Sequence, residues 1–192
     1  ALGELLDWQW NAVLSKQLPQ EYLDEIAGVG KGAAAAGVTV DASVIVGRTQ
    51  VLANLPGTLE NFILVLEREL FEGSITQAFF DQSSALLRKL PKHAGHQCSM
   101  AAAYGSRTAG GEIFSMRNLD WQSDTGMNKY KVVAVYSPTD AGTIPHATFG
   151  FAGMTGALTG MSAAGLTAHE ANLEESEIGF EGFPWTLRLR YV

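Results

Sequence analysis

The sequence predicts an α+β fold in which a helical first half precedes a sheet-forming second half. Before residue 97, apolar residues recur every three or four positions, as expected for amphipathic helices. After Cys98 they fall into short runs separated by glycine, which is typical of strands joined by tight turns. The 192 residues are 46% hydrophobic and 17% charged, which suits a protein with a sizeable buried core.

The helices of the first half are predicted from apolar spacing and from their flanking residues. Segment 28–37 is rich in glycine and alanine, but no strand precedes it and no Gly-Lys-Ser/Thr motif follows. These features favour close helix packing over a phosphate-binding loop. Helices are predicted over 2–14, 20–27, 59–71 and 75–90, with Pro19 in the first turn of the second and Pro91 after the last.

The second half is predicted to form short strands. The first two flank a turn-rich segment and are interpreted as a β-hairpin. A helix begins after Pro184, so close to the last residue that we expect further sheet and helix from another chain or segment. Strands are predicted over 99–104, 112–117, 131–136, 146–152, 157–162 and 166–171.

Composition excludes several classes of function. The net charge of −7 argues against a protein that tracks nucleic-acid phosphates, and no uncharged apolar run is long enough to cross a membrane. A single cysteine excludes an internal disulfide. His93 and His96 lie on a predicted loop, while His146 and His169 are isolated in sequence. Without a second cysteine, these histidines do not predict a zinc site.

The change of pattern falls at Cys98, which begins a predicted strand after a polar connection. Arg117 lies on the second strand of the hairpin, and Asp120 follows three residues later. The hairpin folds both residues back toward the thiol, where a guanidinium would favour the reactive thiolate. Two other interpretations stay open at this point. Cys98 would then be a small buried apolar residue, and Arg117 and Asp120 a surface ion pair.

These residues resemble a known superfamily. The motif Cys98-Ser99-Met100, followed by Gly-Gly-Glu-Ile-Phe-Ser-Met-Arg-Asn-Leu-Asp-Trp over 110–121, is similar to the N-terminal nucleophile (Ntn) hydrolases. The closest resemblance is to the penicillin acyltransferase-like group. Choloylglycine hydrolases, acid ceramidase, N-acylethanolamine acid amidase and phospholipase B-like proteins are wider kin. Segments 149–172 and 182–190 also resemble this superfamily.

The resemblance implies a fold and a maturation step. The fold is the four-layer αββα Ntn sandwich, incomplete in this chain. Residues 1–97 would be a helical prosegment or α-subunit, and residues 98–192 the N-terminal part of the catalytic β-subunit. The precursor would cleave its own Gln97–Cys98 peptide bond. The freed α-amino group of Cys98, with a reference pKa of about 7.7 to 8.0, would then serve as the general base.

The resemblance also implies roles for individual residues. Cys98 would attack an amide and form an acyl-thioester, which water or a second amine would release. Asp120 would hold the freed amino group, and Arg117 would favour the thiolate. The side-chain amide of Asn172 would stabilise the tetrahedral oxyanion. Arg188 or Arg190 would supply a further site arginine.

The resemblance also has implications for cofactors, substrate, partners and location. No cofactor is expected, and the substrate would be an acyl amide or a lipid. A second chain completing the fold, or the cleaved α/β pair, is the expected macromolecular partner. Several relatives suggest lysosomal or secreted residence.

Two alternative functions stay open on the sequence alone. The first is a phospholipase B-like lipid hydrolase on the same fold. The second is a non-catalytic binding or storage protein that stays uncleaved, with Cys98 capped by residues 1–97.

Overall fold

The computed structural model describes residues 2–38, 42–53, 59–89, 97–120, 126–171 and 182–191. As predicted, the fold is α+β: the described residues form α-helices and two antiparallel sheets. The chain divides into two compact units. The first unit comprises Ala1–Ala94, Gly153–Thr155 and Glu174–Leu187, and the second comprises Gly95–Ala152, Gly156–Leu173 and Arg188–Val192.

The helices largely follow the predicted pattern. Helix α4 has the predicted bounds, but α2 continues through the glycine-rich segment, and α3 was not predicted. The predicted first helix is interrupted, because a π-helical turn at Gln9–Val13 and a 3-10 turn at Leu14–Lys16 follow α1. No described helix combines the length and apolar character needed to cross a membrane. The helices are α1 (Leu2–Trp8), α2 (Gln20–Ala35), α3 (Ala42–Ala53), α4 (Leu59–Phe71), α5 (Gln77–Leu87) and α6 (Trp185–Tyr191).

Glycines end two of these helices in the same way. Gly37 follows α2 with φ +87°, and Gly73 follows α4 with φ +77°, conformations that L side chains rarely adopt. After α4, the Ser74 amide donates to the Glu69 carbonyl at 2.9 Å and Gly73 donates to Leu70 at 3.1 Å. This Schellman pattern satisfies carbonyls that the helix itself leaves unpaired. The glycine at residue 37 therefore marks the end of α2, whereas the earlier glycines of that segment lie inside it.

The first unit is built on apolar helix faces. Helix α4 buries Ile63 and Leu66 in one cluster. A second cluster joins α2 to α3 through Ile26 and Val46. The buried residues of the two clusters are Leu5, Ile63, Val65, Leu66, Ile75 and Leu87, and Leu18, Tyr22, Ile26, Val46 and Leu187.

The second unit contains a hairpin and a four-stranded sheet, all antiparallel. The predicted hairpin is confirmed, with each of its strands starting two residues from its expected position. The four-stranded sheet is a meander in which sequential strands are neighbours. The hairpin consists of β1 (Gln97–Ala103) and β2 (Phe114–Asp120); the sheet consists of β3 (Lys131–Tyr136), β4 (His146–Phe151), β5 (Thr159–Ser162) and β6 (Thr167–His169).

Candidate active site

The hairpin register determines which side chains can meet the Cys98 thiol. Cys98 pairs with Leu119 across the ladder, and Met100 pairs with Arg117. Directly opposite residues share a face of an antiparallel pair, and residues two apart along a strand share it too. Cys98 and Arg117 therefore lie on the same face of the hairpin. Along β2 that face is the less exposed one, because burial alternates strictly from residue to residue.

Arg117 connects the thiol to a carboxylate. Its Nη2 atom donates to Cys98 Sγ at 3.2 Å and to Glu170 Oε2 at 2.5 Å. Its Nε atom donates to the Glu170 backbone carbonyl at 3.0 Å. The Arg117 side chain is only 5% exposed and that of Glu170 is 12% exposed, so water screens this pair weakly. The guanidinium is thus held in one orientation, with a hydrogen aimed at sulfur.

Glu170 is the site residue that sequence reasoning missed. It follows β6 and is far from Arg117 in the chain, so only the fold brings the two together. Burial raises the pKa of Glu170 above its ordinary value, while the charge and hydrogen bond of Arg117 oppose that rise. Its sequence signal was weak: one acidic residue near the end of the strand predicted over 166–171. Such residues are common at strand ends, and no spacing rule links residue 170 to residue 117.

Asp120 lies near the Gln97–Cys98 peptide rather than near the thiol. It is the register partner of Gln97 at the open end of the hairpin. Its side chain is exposed and belongs to the opposite face from Cys98 and Arg117. The structure thus brings Arg117 to the sulfur and sets Asp120 opposite the residue before Cys98.

Three of the other expected site residues can be assigned as follows. Asn172 lies outside the described residues. Arg188 is an exposed residue of α6. The guanidinium carbon of Arg190 lies 3.9 Å from the ring centroid of Tyr136, on β3. By the register of β3, Tyr136 occupies the sheet face opposite to Val133, so this contact of Arg190 is separate from the Cys98–Arg117 pair.

An open, mainly apolar groove adjoins the pair. It has a volume of about 560 Å³ and lies between the Arg117 face of β2 and one face of the four-stranded sheet. Leu119, the ladder partner of Cys98, lies along it. The apolar residues Phe149, Phe151 and Leu158 form much of its sheet side. An apolar chain bound there would be next to the strand segment that presents Arg117.

A polar cluster at the same groove has a structural explanation. Ser115 Oγ lies 3.0 Å from His169 Nε2 and donates to Thr167 Oγ1 at 3.2 Å. The cluster links β2 to β6 and so helps to bring Arg117 to Glu170.

Metal ligation has no basis in the described part of the chain. There, no three side chains among histidine, cysteine, aspartate and glutamate come together in a group able to hold an ion. His93 and His96, the loop pair weighed from sequence, lie outside the described residues. The chemistry available at the described site is that of a thiol, a guanidinium and carboxylates.

Comparisons with known proteins add no assignment. The chain matches no family model, no curated protein and no solved structure. The resemblance to the Ntn hydrolases therefore rests on the motif residues themselves, and function has to be argued from the geometry around Cys98.

Proposed function

We propose that this protein is a self-activating cysteine amidase or acyltransferase of the Ntn type, with Cys98 as its nucleophile. The observation that carries the proposal is the 3.2 Å hydrogen bond from Arg117 to Cys98 Sγ. A lone cysteine at the start of a strand would not by itself indicate catalysis. A cysteine that faces a weakly screened guanidinium has the environment of a reactive thiolate.

Arg117 acts in this proposal as an electrostatic partner of the sulfur. Cationic groups beside a thiol favour its ionised form, which is the nucleophile. Glu170 acts as a positioning residue, because it takes two hydrogen bonds from the same guanidinium and fixes its direction. The carboxylate partly offsets the positive charge, but without it Arg117 would have other rotamers available.

Self-cleavage is the proposed first reaction. The Cys98 thiol attacks the Gln97 carbonyl, the C–N bond breaks, and the freed α-amine takes up the proton that the thiol loses. Water then hydrolyses the thioester, giving a carboxylate at Gln97 and restoring the thiol. The location of Asp120 opposite Gln97 supports its assigned role, because the new amino group would form beside that register position.

In the mature protein, the α-amino group of Cys98 serves as the general base for its own thiol. The thiol attacks the carbonyl of an amide substrate, and the amine leaves with a proton from that base. Water or a second amine then takes the acyl group from sulfur. Asn172 is the proposed oxyanion donor, a contribution that is typically about 3 to 4 kcal/mol of barrier.

The four-layer αββα sandwich remains part of this proposal. The hairpin and the meander supply antiparallel strands of the kind it requires. Exposed apolar residues that do not border the groove, among them Met100 at 50% and Val135 at 75%, support the idea that further layers cover this unit. Those layers would come from the second chain or segment expected from the sequence.

An assay of amide and ester turnover tests the reaction class. We expect the wild type to hydrolyse N-acyl amines, and Cys98→Ala to lose that activity. The groove does not distinguish an acyl amide from a phospholipid, so both are assayed in parallel. Turnover of the phospholipid alone would replace the amidase by the lipid-hydrolase alternative. Amide turnover that persists in Cys98→Ala would remove Cys98 from the mechanism.

A further inference from the structure

One cation lies at the apolar groove without a part in the proposed reaction. Lys131 is the first residue of β3 and borders the groove together with Phe151, its ladder partner on β4. The register places Lys131, Val133 and Phe149 on one face of the sheet. The ladder pairing that starts with Val133 and Phe149 continues across the four strands to His169 on β6. The His169 ring contacts Ser115 of β2. Lys131 thus lies on the sheet face that faces Arg117.

The distance between Lys131 and the thiol end of the groove follows from the strand order. Glu170, the partner of Arg117, follows β6 and donates its amide to the Leu158 carbonyl before β5. Lys131 opens β3, at the far side of the sheet order β3-β4-β5-β6. Three strand spacings separate β6 from β3, about 14 Å across the sheet. Phe151 is the last residue of β4, and Leu158 directly precedes β5. Both border the groove, so the path from β6 to β3 is apolar.

The charge of Lys131 has no partner within the described structure. No ion pair joins the Lys131 ammonium to a described carboxylate. Lys131 is exposed rather than packed into a core. An ammonium at the end of an apolar track fits a ligand that is apolar along its length and anionic at its tip. A purely hydrocarbon chain would use the track and leave the ammonium unused.

We propose that Lys131 determines specificity for acyl groups that carry a carboxylate at the end remote from the scissile amide. This inference rests on the proposed function, since it places the amide carbonyl at Cys98 and the acyl chain across the groove. The substrate class is the monoamide of a straight-chain dicarboxylic acid of medium length. The chain lies over Leu158 and Phe151, and its free carboxylate reaches the Lys131 ammonium.

Binding is tested without turnover by calorimetry on the wild-type protein after its Cys98 thiol has been capped with methyl methanethiosulfonate, because Cys98→Ala is expected to remain uncleaved. The ligands are sebacic acid monoamide, decanamide of the same chain length, and the shorter adipic acid monoamide. Replacing Lys131 by Met should weaken binding of sebacic acid monoamide about three- to fivefold, as for an exposed ion pair. Binding of decanamide and of adipic acid monoamide should stay unchanged, because the first has no charge and the second is too short. The loss of affinity for sebacic acid monoamide in Lys131→Met should become smaller as salt is added.

Lys129→Met is the matched control, because Lys129 lies in the 3-10 turn just before β3 and does not border the groove. It should leave all three affinities unchanged. An equal loss for decanamide in Lys131→Met would overturn the proposal and assign Lys131 a packing role, and no change for any ligand would overturn it outright. Amide turnover by the wild type, measured separately on N-acyl amines, reports on the proposed function alone. A protein that binds selectively but does not cleave would therefore retain the groove assignment and lose the amidase.

Discussion

At the scale of single residues, Arg117 is the side chain on which the site depends. It donates to a sulfur, a carboxylate and a backbone carbonyl, and it is almost wholly shielded from water. Cys98 would be a plain half-buried thiol without it. The reactivity of that thiol is therefore the property that the environment should change.

Replacing Arg117 by Met should slow alkylation of Cys98. A guanidinium that donates a hydrogen bond to sulfur stabilises the nucleophilic thiolate, so we expect about a tenfold lower rate with iodoacetamide at neutral pH when it is removed. The control is Arg107→Met, because Arg107 is exposed in the turn between β1 and β2. Equal rates for Arg117→Met and the wild type would show that the hydrogen bond has no chemical consequence.

If Glu170 is a positioning residue, two substitutions of it should have different effects. Glu170→Ala removes the anchor of Arg117, and the alkylation rate of Cys98 should fall several-fold, as Arg117 loses its fixed orientation. Glu170→Gln keeps an oxygen acceptor but removes the negative charge, so the rate should equal or exceed that of the wild type. A merely structural role for Glu170 predicts no such rescue, and similar rates for both variants would contradict the assignment.

At the scale of elements, the packing of α3 against the π-helical turn depends on a glycine. A Cβ added to Gly47 would lie 2.8 Å from Cδ1 and Nε1 of the Trp10 indole. Gly47→Ala should therefore lower the free energy of unfolding by about 1 to 3 kcal/mol. Gly28 is the contrast, because no described atom lies within 4 Å of its added Cβ. Gly28→Ala in α2 should raise that free energy by about 0.5 to 1 kcal/mol.

Urea unfolding of both variants beside the wild type measures these changes. The two substitutions are chemically identical and both lie inside helices, so propensity alone predicts the same sign for each. Opposite signs of the two changes in unfolding free energy would assign the destabilisation in Gly47→Ala to the contact with Trp10. A stabilised Gly47→Ala would show that the indole moves aside at no cost.

The ion pair between α1 and α3 predicts a dependence on pH. Arg48 donates to Asp7 at 2.8 and 2.7 Å, and this hydrogen bonding lowers the pKa of Asp7 below its ordinary value of 3.8. A lowered carboxylate pKa stabilises the fold above the unfolded-state value, and that contribution is lost as the pH falls through the folded-state value. Thermal midpoints recorded on acidification should fall further for the wild type than for Asp7→Asn. The expected difference is small because both side chains are more than a third exposed. Parallel curves of thermal midpoint against pH for the two proteins would exclude a contribution of this ion pair.

The accuracy of the sequence predictions differed between elements for physical reasons. The bounds of α4 and β3 were predicted correctly, because strong apolar periodicity and flanking turn residues coincide there. Helix α3 was missed, since its apolar residues show little sidedness. The glycines inside α2 carry low helix propensity, and packing of Tyr22 and Ile26 outweighs it. The Cys98–Arg117 proximity followed from the hairpin, but the contact with Glu170 depends on a tertiary arrangement that no local pattern encodes.

At the scale of the whole molecule, the described residues of the second unit include more exposed large apolar side chains than those of the first. Phe114 at 62% and Val135 at 75% are exposed on its strands and do not border the groove. A two-stranded hairpin is marginally stable by itself, and exposed apolar patches of this kind commonly mark interaction surfaces. The proposal that further layers complete an Ntn sandwich accounts for both features.

Denaturing intact-mass analysis of the wild type beside Cys98→Ala tests the central claim most directly. If Cys98 is a self-activating nucleophile, the wild type should separate into two pieces joined originally at Gln97–Cys98, while Cys98→Ala remains whole. The incubation covers acidic and neutral pH. Two intact proteins under every condition, or cleavage of the alanine variant at the same bond, would contradict the account.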